Sequence, residues 1–234
     1  MNKKALLSSF TLLSCALSHT SYAALSSTAL LNFDTGVAIT DPVYGYTIGF
    51  QGSYFSLDTN GDGAFTVNEG SVLTPGYDGG ILLGQTQLTY DVSTGDPTPI
   101  DSTWYFAGNP GTYQNTSPVT IFSDDGNGSV FLDFSDWGVT FVNTINIGLG
   151  GSPEHPSDTG LATVVCSLDC SNGDFFTLDY NAHVASDDPS GFGDVYWQLH
   201  LEGTVVSPVP VPAAVWLFGS GLILLASLAR RKQS

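Results

Sequence analysis

The chain has 234 residues, 22 of them acidic and five basic, for a formal net charge of −17 at pH 7. Every Lys and Arg lies at the ends (Lys3, Lys4, Arg230, Arg231, Lys232), so residues 24–207 carry all the acidic side chains and no Lys or Arg at all. A field of that sign excludes nucleic acid and anionic lipid as partners of this region. It favours divalent cations, or an acidic surface solvated in salty surroundings.

In chain order, Lys3 and Lys4 precede an apolar stretch from Ala5 to Leu17, and Ser21-Tyr22-Ala23 supplies small residues for cleavage. Residues 1–23 therefore read as a secretory signal peptide that takes no part in the fold. Leu12-Leu13-Ser14-Cys15 has the letters of a lipoprotein acylation site, but its Cys falls inside the apolar region and a normal cleavage site follows.

Residues 24–207 suffice for one domain with a real core. Runs rich in β-branched and aromatic residues cover Tyr44 to Leu57, Gly80 to Val92, Trp104 to Ala107, Val119 to Ser123 and Val130 to Phe134. They continue over Val139 to Val142, Leu161 to Leu168, Phe175 to Val184 and Val195 to Val206. Gly, Asn, Asp and Pro separate them, and no helical apolar period is sustained before Pro208. About nine to eleven strands in one unit predict an antiparallel, jelly-roll-like β-sandwich.

The sharpest chemical motif lies between the first two runs. Asp58-Thr59-Asn60-Gly61-Asp62-Gly63-Ala64-Phe65-Thr66-Val67-Asn68-Glu69 matches the twelve-residue calcium loop at each diagnostic place. Asp58, Asn60 and Asp62 would offer side-chain oxygens and Gly63 the sharp turn; Ala64 would offer its carbonyl, Thr66 a ligand directly or through water, and Glu69 both carboxylate oxygens. The flanks are not helices: Tyr46, Ile48 and Phe50 alternate like a strand, and Pro75-Gly76 stops any long helix. The reading is an EF-hand-like Ca²⁺ loop on a β scaffold, with a plain Asn/Gly turn as the alternative. A second acidic turn, Asp124-Asp125-Gly126-Asn127-Gly128, lacks ligand spacing and reads as a hairpin.

Cys166 and Cys170 are the two cysteines left after signal removal, and in an exported domain they most simply pair as a disulfide. Catalysis finds little footing. Asp34-Thr35-Gly36 and Asp158-Thr159-Gly160 each spell an aspartic-protease triplet, but no apolar strand leads into the second. No Ser sits in a nucleophile elbow. The chain is read as no enzyme. Among the aromatics, Trp137 and Trp197 are the candidate sugar contacts, because polar turn residues lie near them.

The tail completes the reading. Pro208 opens a proline-rich hinge, an uncharged run follows from Ala213 to Ala229, and Arg230, Arg231 and Lys232 close it. Seventeen residues make about 25 Å of helix, enough to cross a bilayer core with snorkelling flanks. This order of parts, VPVPAAVWLFGSGL followed by ARRK, resembles the PEP-CTERM sorting signal of Gram-negative exopolysaccharide producers. Pro210-Val211-Pro212 stands where the namesake has Pro-Glu-Pro. An ordinary single-pass anchor is the alternative. Segments such as LLNFDTGVAI and SGFGDVYWQLHLEG are similar to ectodomains of other members, for which that similarity brings no known activity. The resemblance implies export, a transient stay in the inner membrane, processing by an exosortase-type enzyme, and delivery to the cell surface or beyond. Two functions are carried forward: a structural surface or matrix protein associated with exopolysaccharide, and a calcium-dependent, lectin-like carbohydrate-binding module.

Overall fold

The computed structural model describes residues 24–77, 79–89 and 99–208. The signal peptide, the Pro210-Val211-Pro212 hinge, the 213–229 span and the Arg230-Arg231-Lys232 cluster lie outside the described residues. Among those described, no helix is long and apolar enough to cross a membrane.

The fold is all β, with antiparallel pairings throughout. The chain runs through β1 (Leu30–Phe33), a ribbon of β2 (Val37–Thr40) and β3 (Thr47–Gln51), and β4 (Tyr54–Asp58). After the acidic loop come a 3-10 turn (Val67–Glu69), β5 (Gly70–Val72), β6 (Gly80–Leu82), β7 (Trp104–Phe106) and β8 (Asn109–Asn115). There follow β9 (Thr120–Asp124), β10 (Ser129–Asp133), β11 (Trp137–Phe141), β12 (Ile145–Gly148), β13 (Leu161–Cys166), β14 (Phe175–His183) and β15 (Tyr196–Val206).

Two main sheets result. The larger has the order β5-β4-β15-β14-β13-β10-β9, with β1 beside β15 and β6 beside β1. The smaller has the order β12-β11-β8-β7, and β2 and β3 form a ribbon of their own. β15 organises the larger sheet: β14 pairs along one flank, while β4 takes residues 196–200 and β1 residues 203–206 of the other.

Alternation fixes which face is buried. In β14, Phe176, Leu178, Tyr180 and Ala182 point inward; in β15, Trp197, Leu199, Leu201 and Val205 do the same. From the smaller sheet come Trp104, Tyr113, Trp137, Val139 and Phe141. Rings then pack between the sheets, Phe55 on Trp104 at 4.4 Å, Tyr180 edge-on to Trp197 at 5.4 Å and Phe134 stacked on Trp137 at 4.5 Å. Each buried ring contributes about 2–3 kcal/mol of transfer free energy. Gly111 makes this packing feasible, since a Cβ there would lie 2.2 Å from the Trp104 ring.

Fifteen strands are present among the described residues, more than the nine to eleven expected. The run Tyr44 to Leu57 holds two strands, broken at Gly52, whose φ of 69° is left-handed and favours glycine. β8 was hidden because its sequence, NPGTYQN, reads as a turn. The acidic segment Asp124 to Gly128 does form the β9–β10 hairpin, with Asp125 Oδ1 accepting from Asn127 N and Ser129 N.

Candidate functional site

The acidic loop leaves the end of β4 and returns through the 3-10 turn into β5. Asp58 is its hub. The buried carboxylate accepts from Gly61 N at 2.8 Å and Asp62 N at 3.1 Å through Oδ1, and from Gly63 N at 2.8 Å through Oδ2. Asn60 Oδ1 accepts from Asp62 N and Asp62 Oδ1 from Ala64 N, so each ligand-type residue also turns its own backbone. Gly61 and Gly63 have φ of 70° and 78° with open space around them, so conformation, not crowding, calls for glycine.

Glu69 closes the loop. Its Oε2 accepts from Thr66 Oγ1 at 2.7 Å and Thr66 N at 3.2 Å, and its Oε1 from Thr59 Oγ1 at 2.9 Å and Thr59 N at 3.0 Å. The hydroxyl of Thr66, and after it that of Thr59, outweigh burial and hold the Glu69 carboxyl below the usual carboxylate range. The sequence reading gave Glu69 only a ligand's part; the loop also uses it as a clasp between its first and last turns.

The donor chemistry suits a hard cation, because Asp58, Asn60, Asp62, Ala64, Thr66 and Glu69 present only oxygens in the required order. Among the described residues, no three His, Cys, Asp or Glu side chains are gathered in a metal-holding cluster. At this loop the Glu69 carboxylate is turned to Thr59 and Thr66.

Sequence reasoning passed over the neighbourhood. Asp58, Gly61 and Gly63 face His155, His183, Asp194 and Tyr196 across an open cavity of about 350 Å³. The imidazoles of His155 and His183 stack with centroids 3.6 Å apart and planes 6° from parallel. Each is held by a carboxylate: His183 Nδ1 lies 3.2 Å from Asp158 Oδ1, and His155 Nε2 lies 3.3 Å from Asp194 Oδ1. Burial works to raise the Asp158 carboxyl, but donation from His183 N, the His183 ring and Ser152 N carries it below the usual range. No local signal marked this pair, because residue 155 lies in the β12–β13 connection and residue 183 ends β14.

The remaining candidates separate. Trp137 and Trp197, expected as sugar contacts, are 2% and 1% exposed in the inter-sheet core. Trp197 is on the inward side of β15, with Tyr196 and Gln198 on the other, whereas Trp137 opens β11 pointing inward and its polar neighbours Ser135 and Asp136 belong to the exposed turn before it. Cys166 and Cys170 form a disulfide with Cα atoms 5.2 Å apart. Asp158 spends its carboxylate on His183 and Ser152, while Asp34 stands exposed after β1. No family model, no curated protein and no solved structure matches this chain.

Proposed function

We propose that the chain is an exported structural protein of the cell surface or exopolysaccharide matrix, sorted and processed through its PEP-CTERM-like tail, with a β domain stabilised by calcium at the Asp58 to Glu69 loop. The observation that carries the calcium part is the shape of the loop: Asp58 gathers three backbone N–H groups and Glu69 joins both ends. The oxygens of Asp58, Asn60, Asp62, Ala64, Thr66 and Glu69 would hold the ion, which would neutralise charge in a domain lacking Lys and Arg. The jelly-roll-like reading is supported by the connections β8–β9, β10–β11 and β12–β13, each of which passes from one sheet to the other.

The test is thermal unfolding of the full chain in calcium and in chelator. A weak extracellular-type site, with a dissociation constant on the order of 0.1–1 mM, stabilises by about 1–3 kcal/mol at about 10 mM calcium. That corresponds to a rise of about 2–4 °C in Tm per kcal/mol. Asp62→Ala abolishes the calcium increment and leaves the Tm in chelator nearly unchanged, because Asp62 bonds only within the loop. Glu69→Ala lowers Tm in both conditions, since the clasp itself is lost. An equal loss for Asp62→Ala in both media rejects the calcium assignment.

A further inference from the structure

The outer face of the larger sheet carries an aromatic-walled cleft of about 180 Å³ beside the acidic loop. Its floor is the cross-strand pair Ser56 and Gln198. One wall is Phe50 stacked on Tyr54 at 5.6 Å, and Tyr54 in turn leans on His200 at 5.2 Å. The other wall is Phe65, delivered by the loop and stacked on Tyr196 at 5.3 Å. Tyr196 and His200 stand four residues apart on β15, about 13 Å along the strand, and Gln198 lies midway between them.

The polar floor is unspent. Among the described residues the Gln198 amide and the Ser56 hydroxyl make no side-chain hydrogen bond, although Ser56 is only 3% exposed. An amide offers two donors and an acceptor, and a hydroxyl offers both roles, which is the complement of a sugar's vicinal hydroxyls. The aromatic faces offer what the apolar faces of pyranose rings require.

Charge narrows the ligand. No carboxylate or imidazole lines the cleft, in a domain whose 22 acidic side chains would repel a polyanion. We propose that this cleft binds a segment of uncharged polysaccharide, with rings against Tyr54 and Phe65 and hydroxyls on Gln198 and Ser56. The proposal deepens the matrix reading and rests on it for the setting in which a glycan is met. It does not need the calcium ion.

The experiment is native electrophoresis of the full chain, in a sugar-free detergent, through gels containing dextran, soluble starch or galactomannan, with alginate as the charged counterpart. Retardation by at least one uncharged glycan is expected, weakened about tenfold or more by Gln198→Ala and by Phe65→Ala. Tyr105→Ala, on the other sheet, leaves it unchanged. Gln198→Ala removes no bond within the protein, so it separates loss of binding from loss of folding. No retardation by any uncharged glycan, retardation of the Gln198 and Phe65 variants equal to that of the unaltered chain, or a preference for alginate would overturn the proposal. Repeating the gel in chelator keeps the readings apart: glycan binding that survives there, in a chain with no calcium-dependent Tm, leaves the cleft standing and removes the ion.

Discussion

Asp101 is a carboxyl buried in the core of the described residues. It is 1% exposed, with no Lys or Arg in the domain to meet it, and accepts from Trp104 Nε1 at 2.8 Å and Tyr113 N at 2.9 Å. Burial pushes its carboxyl up to about 8 against the pull of those two donors. In the unfolded chain the same group titrates near 3.9. Between about pH 4 and about pH 8 the folded protein therefore holds a proton that the unfolded one has released, and stability falls as pH rises through that window. Tm measured from pH 5 to pH 9 should decline, and Asp101→Asn should flatten the decline; parallel curves would assign the pH dependence elsewhere. Nothing in Ile100-Asp101-Ser102 announces such a residue, because burial here is imposed by Trp104 and Tyr113 arriving from two strands. The loop residues Asp58 to Glu69 were legible for the opposite reason, since their geometry is set by neighbours in sequence.

Among the elements, the β13–β14 turn is the clearest case of local chemistry fixing local structure. Cys166 ends β13, Cys170 sits in the left-handed region at φ 61°, and the bridge between them pins the turn against β14. A loop this short yields about 2 kcal/mol on the chain-entropy estimate. Reductant should thus lower Tm by about 4–8 °C in a domain of this size. No change on reduction would mean that the turn holds without its bridge. Long strands such as β14 and β15 were legible as runs rich in β-branched and aromatic residues, and their burial then alternates over nine and eleven residues. β8 was not. Its Asn, Pro and Gly are tolerated because Pro110 passes its carbonyl to Val142 N, while Gly111 lies beneath Trp104. Those demands come from other strands and leave no periodicity of their own.

For the whole molecule, the sandwich was readable from texture and turn residues, whereas the way its outer face gathers Tyr54, Gln198, His200 and Tyr196 required the register of β4 on β15. The export reading makes a prediction at this scale. Chain recovered from outside an exopolysaccharide-producing host should begin at Ala24 and lack Arg230, Arg231 and Lys232, as intact mass would report. A secreted chain that retains all three would reject processing at the tail.

β15 also has a mechanical meaning. Its last residue, Val206, lies two positions before Pro208, and its partners number nine along β14 and, on the other flank, five along β4 and four along β1. A pull on whatever follows Pro208 runs along the strand, so the hydrogen bonds of both flanks are loaded together in shear rather than peeled in turn. Leu30 faces Val206 across the same ladder, so the first strand clamps the point where the load enters. A domain tethered at that end would resist being torn from its tether, even though its sheet edges could be unzipped far more easily.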